Sequence, residues 1–496
     1  LEPILLVHGY STDAGSEPNR DSVVKMYGDL PKWLRSQYKD DEVYELDVSR
    51  YISLEDGISI DDIARAFDTA LRTDFSHLYN RTFHVIIHST GALVMRTWLR
   101  KHSGNRQPIR NLIYLAGANF GSGWASLGRG QLSRWYRKLS AGDEPGVKVL
   151  NALELGSSDT IDTHLALIED GDPIDTYGVR EYVITGSQAQ TESFLMPIRF
   201  AKEDGADGVI RVAAASLNFN YVKYVANNKG LQVTASDVAH DLRYERLPAS
   251  ADYYHVDQEA SSIAGVDRKV VPLAIPWGTA HIGAKAGVVD GSANRDIIEP
   301  LLTQALGTRT ATQWRGSVGD FQDVTDDAYD KAATHKISGF WEGRWSRKAQ
   351  YEAHSQIILR LRDQDGAPVE HYDIHFDRGP DATKPGNISN LIQHTHRNDV
   401  TPNVFTFYLR TGKWDKEKKT FRDDQGAYLS RLNEIDQALL EITATEPQTD
   451  DIRYVPFRKT LNTESLVGYI HPHATTVVDI EMLRIPSGNV FAMFKH

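Results

Sequence analysis

Two short apolar runs near the start of the chain set its architecture. Ile4-Leu5-Leu6-Val7 is uninterrupted by polar residues, and Val85-Ile86-Ile87 is the centre of a run from Phe83 to His88. Continuous apolar stretches of this length are the pattern of strands buried on both faces. Between them, Ile60, Ile63, Ala64, Phe67 and Leu71 recur at helical spacing behind Ser59-Ile60-Asp61-Asp62, a capping-box-like start with a shorter acid. That stripe predicts a helix packed on a core rather than on a membrane. Asp21 or Ser22 is placed to cap a helix through Val24, Met26 and Leu34, divided at Pro31. Ile109 to Leu115 and Glu181 to Thr185 read as further strands, and Asn294 to Leu306 as a helix. This alternation predicts an α/β unit over residues 1–307, with a mainly parallel sheet covered on both faces.

After Gly307 the pattern changes. Ser355 to Arg362, His371 to Phe376, Asn403 to Arg410 and Thr475 to Leu483 are strand-like, with partial alternation and Asp-Gly, Gly-Pro and Pro-Gly punctuation. We read 335–496 as a mostly antiparallel, sandwich-like β domain, with Asp436 to Ala444 as a candidate helix and 308–334 as the connection. Two stretches break the earlier rhythm. Residues 120–155 carry Trp124, Trp135 and Tyr136 among Arg129, Arg134, Arg137 and Lys138, which suits a cap over a pocket or a surface helix with aromatic anchors. Residues 218–267, rich in Tyr, Asp and Asn, read as a lid or an inert insertion.

Composition narrows the function classes. A chain of 496 residues suggests two or three domains, and 41% apolar content supports ordinary cores. A formal charge of −12 argues against nucleic acid and against simple adsorption onto anionic lipid. Cysteine is absent, which excludes disulfides and a thiol nucleophile. There is no apolar run long enough to span a bilayer and no signal-peptide pattern at the start of the sequence given. Gly121-Ser-Gly-Trp-Ala-Ser-Leu-Gly lacks the context of a dinucleotide fingerprint, so no cofactor is expected. His371 with His375, and His394 with His396, alternate as residues on an exposed strand face do, which explains them more simply than a metal.

The candidate chemistry lies where the second apolar run ends, at His88-Ser89-Thr90-Gly91, before Ala-Leu-Val-Met-Arg. A buried strand, a tight turn carrying serine, then a helix is how α/β-hydrolases expose a nucleophile. Gly91 gives the small residue the turn needs after the serine, whereas Ile87 stands where glycine is usual. The loop after the first strand, His8-Gly9-Tyr10, is placed to offer the Tyr10 N–H to an oxyanion, with the Thr90 N–H as second donor. An acid and a base should follow in that order. Asp204-Gly205 and Asp207-Gly208 compete for the acid, and Asp207 is preferred because Val209 to Val212 would anchor its loop. Of 18 histidines, His281 follows an apolar stretch and precedes a helix, as the base should. His255 and His240 are its rivals, and His84 and His88 read as packing residues.

Taken together these segments resemble the PlaB-type bacterial phospholipase A family. The resemblance rests on His88-Ser-Thr-Gly91, Arg50-Tyr-Ile-Ser53 with Ile60 to Phe67, Leu115-Ala-Gly-Ala-Asn119 with Gly121-Ser122, and Asp207 to Ala214, in one order over roughly residues 4 to 306. It implies Ser89 as nucleophile, Asp207 as acid and His281 as base. It also implies phospholipid and lysophospholipid substrates, a peripheral membrane location in a bacterium, and self-association into a homo-oligomer. The chain departs from the family at Ile87, where threonine is usual, and in a longer stretch between Asp207 and His281.

Overall fold

The structure is a computed structural model and describes residues 2–7, 27–38, 42–46, 57–104, 108–125, 146–189, 202–238, 252–262, 268–336 and 347–488. It divides into two compact units, Leu1–Asn218 with Ser262–His354 and Lys413–Leu429, and Phe219–Ser261 with Ser355–Gly412 and Ser430–His496.

The first unit is built on β1 (Ile4–Val7), β2 (Val43–Leu46), β3 (Phe83–His88), β4 (Ile109–Leu115) and β5 (Arg180–Ile184). The chain then passes through β6 (Phe219–Ala226) and β7 (Tyr254–Ser261), and returns with β8 (Leu273–Ala274). The sheet order is β2-β1-β3-β4-β5-β8, with every pair parallel. Each residue of β1 and β3 is buried, as the unbroken apolar runs require of central parallel strands. Register aligns the strand ends. Val7 pairs with Ile87, His88 with Leu115, Leu115 with Ile184, and Ile184 with Ala274. The carboxyl ends of β1, β3, β4, β5 and β8 therefore lie along one rim of the sheet, where open α/β sheets hold their sites.

The helix Ile60–Arg72 starts with a closed capping box between Ser59 and Asp62 and buries Ile60, Ile63, Ala64, Phe67 and Leu71. The expected stripe is thus core. Pro31 sits in the first turn of the helix Leu30–Gln37, where a missing N–H is harmless. The proposed cap at Asp21 or Ser22 lies outside the described residues.

Three sequence expectations change. The segment 308–334 is no linker: Ala311–Thr334 is a 24-residue helix with its own capping box at Thr310 and Gln313. Its buried face (Trp314, Phe321, Ala328, Tyr329) keeps it on the first sheet, with Trp314 Nε1 donating to the Glu181 carbonyl at 2.8 Å. The 218–267 stretch is not a lid over its described length. β6 and β7 complete a sheet of the second unit, because Thr475 to Ile480 pairs in parallel with Phe219 to Tyr224. Asp436 to Ala444 is not helical. Ala438, Leu440, Ile442 and Ala444 alternate inward, and a strand buries that set where a helix would scatter it.

The second unit contains β9 (His354–Asp363), β10 (Tyr372–Arg378), β11 (Ile392–Arg397), β12 (Val404–Arg410), β13 (Gln437–Ala444), β14 (Ile452–Tyr454), β15 (Phe457–Asn462), β16 (Thr475–Met482) and β17 (Arg484–Pro486). A six-stranded sheet, β11-β12-β9-β16-β6-β7, and a three-stranded antiparallel sheet, β10-β13-β15, share one core. Val222, Ile357, Leu359 and Val478 come from the first, and Phe376, Leu440, Ile442 and Phe457 from the second. The sandwich character is as expected, although β16 runs parallel to both of its neighbours.

Candidate active site

Ser89 follows β3 directly and has φ +54°, a left-handed conformation that a non-glycine residue adopts at a strain of about 1–3 kcal/mol. Its surroundings hold it there. Its N–H donates to the Leu115 carbonyl at 3.2 Å, and its carbonyl accepts from Ala92 and Ala118, each at 3.1 Å. Gly91 opens the helix Gly91–Lys101, and buried residues line almost the whole of that helix. Ile87 is fully buried inside β3, so the turn forms without a leading glycine.

Asp207 and His281 meet. His281 Nδ1 lies 2.8 Å from Asp207 Oδ2, the His281 N–H donates to the Asp207 carbonyl at 2.9 Å, and both side chains are buried. The other carboxylate oxygen, Oδ1, accepts the N–H groups of Val209 at 2.9 Å and Ile210 at 2.7 Å. That arrangement fixes the carboxylate, and the carboxylate in turn fixes the ring tautomer with Nδ1–H toward Asp207. The imidazole also packs on His88, the residue before the serine, with ring centroids 4.7 Å apart. Asp207, His281 and the turn of Ser89 thus lie at one rim. No hydrogen bond joins Ser89 Oγ to His281 among the described residues. Such a bond commonly tightens only when substrate is docked.

The neighbouring loop explains why Asp207 can hold this place. Trp124 Nε1 donates to the Gly208 carbonyl at 2.8 Å, and Ser122 Oγ to the Val209 carbonyl at 2.6 Å. Trp124 is therefore a buried anchor for the loop of Asp207. Trp135, Tyr136 and the arginines of the supposed cap lie outside the described residues. Asp204 sits in the preceding turn and makes no bond to His281.

Thr90 is 1% exposed at the first turn of its helix, and among the described residues its N–H donates to no acceptor, as an oxyanion donor requires. Tyr10 lies outside the described residues, as does His240. His255 is exposed on β7, a strand of the second unit. His84 is buried beside Glu2 and Arg309, and burial together with Arg309, Arg110 and Arg180 pushes its imidazole down to about 3. Neutral and walled in, it suits packing.

No protein-family model and no curated protein matches the sequence. Among solved structures, phospholipase PlaB from Legionella pneumophila superposes with a TM-score of 0.76 at 22% identity, covering 100% of this chain and 97% of that one. The complex of PlaB with thio-NAD gives the same values. The chain has the PlaB fold. The likeness extends over both units, an α/β-hydrolase sheet and a β sandwich, and agrees with the resemblance carried by the sequence segments. Among the described residues no helix is long and apolar enough to cross a membrane.

Proposed function

We propose that this protein is a serine carboxylic-ester hydrolase that removes acyl chains from phospholipids and lysophospholipids. The observation that carries the reading is a strained, left-handed Ser89 at a rim shared with a buried, hydrogen-bonded His281–Asp207 pair. Strain of this kind persists where a reactive group must be displayed. The PlaB fold of a phospholipase supports the lipid substrate class.

In this reading His281 Nε2 takes the Ser89 proton as Oγ attacks the acyl carbonyl, and Asp207 stabilises the imidazolium. The Thr90 and Tyr10 N–H groups receive the oxyanion. The imidazolium then protonates the departing alcohol oxygen, releasing lysolipid or glycerophosphodiester. Water, deprotonated by His281, cleaves the acyl-enzyme. Peripheral membrane contact and self-association belong to the same proposal.

Product analysis with phosphatidylcholine and lysophosphatidylcholine tests reaction and substrate together. Release of fatty acid by the wild type and not by Ser89→Ala is the expected result. Turnover of short p-nitrophenyl esters without gain on lipid aggregates would assign a water-soluble esterase instead. Absence of covalent labelling by a fluorophosphonate would remove the hydrolase reading altogether.

A further inference from the structure

One carboxylate organises the turn that carries His281. Asp290 Oδ1 accepts the Gly283 N–H at 2.9 Å. The turn is also closed by the Val288 N–H on the Ala280 carbonyl at 2.8 Å and the Gly287 N–H on the Gly283 carbonyl at 2.7 Å. Asn294, before the helix Arg295–Gly307, donates to Thr279 Oγ1 at 3.0 Å and to the Ala286 carbonyl at 3.1 Å.

Two glycines make room for the acid. A Cβ at Gly287 would lie 2.0 Å from Asp290 Oδ1, and a Cβ at Gly28 would lie 3.0 Å from Asp290 Cβ. Gly28 belongs to a segment tied to the first strand, because Tyr27 donates its hydroxyl to the Val7 carbonyl at 2.7 Å. Asp29 of that segment faces Arg295 at 4.0 Å. Asp290 therefore stands between the turn of the base and the segment anchored at the end of β1.

We propose that Asp290 is a positioning residue for His281: by holding the Gly283 amide and seating against Gly28, it fixes the turn that presents the imidazole to the elbow. The kinetic consequence rests on the hydrolase reading above, whereas the structural one does not. Burial pushes the Asp290 carboxyl above the ordinary carboxylate range, against the Gly283 N–H, its own N–H and the charges of Arg295 and His281. Protonated or ionised, it still offers an oxygen to Gly283, so the role is geometric.

The test compares Asp290→Ala, which removes the acceptor, with Asp290→Asn, which keeps one. Asp290→Ala should lower kcat by about 10²-fold with KM little changed, since small displacements of a reacting group have effects of that order. Amide hydrogen exchange over residues 280–291 should accelerate in the same variant, and Asp290→Asn should restore both readouts. Wild-type turnover and exchange in Asp290→Ala would overturn the proposal, as would an Asp290→Asn variant as impaired as Asp290→Ala in both. If the wild type neither turns over ester nor labels with fluorophosphonate, the hydrolase reading falls and exchange alone decides the role of Asp290. Should Asp290→Ala not fold, Asp290→Ser, whose hydroxyl is too short to reach Gly283, takes its place.

Discussion

Arg211 and Glu203 face each other through two hydrogen bonds of 2.8 Å, Nε to Oε2 and Nη2 to Oε1, across the loop that carries Asp207. The arginine is 1% exposed and the glutamate 10%. The pair closes that loop at its base, where Ala206 and Arg211 also form an antiparallel bridge. Breaking a buried ion pair by removing one partner costs up to about 3–5 kcal/mol. Glu203→Ala should lower unfolding free energy by that order and reduce turnover through a loosened Asp207. Denaturant titration with steady-state kinetics checks both.

Asp207→Asn should lower kcat by about 10⁴-fold, because a carboxamide no longer holds the required tautomer. Asp204→Asn should leave turnover close to wild type, since Asp207 and not Asp204 meets His281. Equal losses in the two variants would show that Asp207 is not the acid.

Ser89 gives a stability test independent of any substrate. At an ordinary position glycine is less stable than alanine by about 0.5–1 kcal/mol. At φ +54° the order should reverse, with Ser89→Gly melting above Ser89→Ala and both inactive. Calorimetry on the two variants reads the difference directly.

Trp124→Phe should keep the apolar body of the anchor while deleting its bond to the Gly208 carbonyl. The expected loss is about 0.5–1.5 kcal/mol of stability, as for one buried hydrogen bond, with a partial fall in kcat. Unchanged stability and kinetics would show that this bond does not hold the acid loop.

His473 sets a pH dependence in the second unit. Burial lowers its imidazole to about 4, from an ordinary value near 6.5. Between those values the unfolded chain binds the proton and the folded one does not. The stability present above pH 6.5 is therefore lost as pH falls toward 4, by at most about 3 kcal/mol. His473→Asn, tolerated at φ +58°, should flatten the stability profile in that window.

Much of the first unit was legible because its signals are local. Unbroken apolar runs marked β1 and β3, and Ser59 with Asp62 marked a helix start, since a strand buried on both faces and a capped amphipathic helix each dictate residue types within a few positions. The same logic placed Ser89 at the end of a strand, and singled out Asp207 and His281 by the apolar stretches around them. The helix Ala311–Thr334 was missed because its buried face mixes Ser317, Thr325 and alanines with three aromatics, which blurs its stripe. β13 was misread because Gln437 to Ala444 satisfies short helical and strand patterns alike.

Alone, the sequence determined which strands lie in a doubly covered parallel sheet and which residue types stand at their ends, because burial and turn chemistry act over neighbouring residues. Only the tertiary structure decided that Phe219 to Ser261 completes a sheet with strands from the end of the chain, that Asp207 rather than Asp204 meets His281, and that Asp290, Trp124 and Arg211 brace the loops around them. Each of these is a contact between distant segments, set by strand register and by space left at glycines, and no local pattern encodes that geometry.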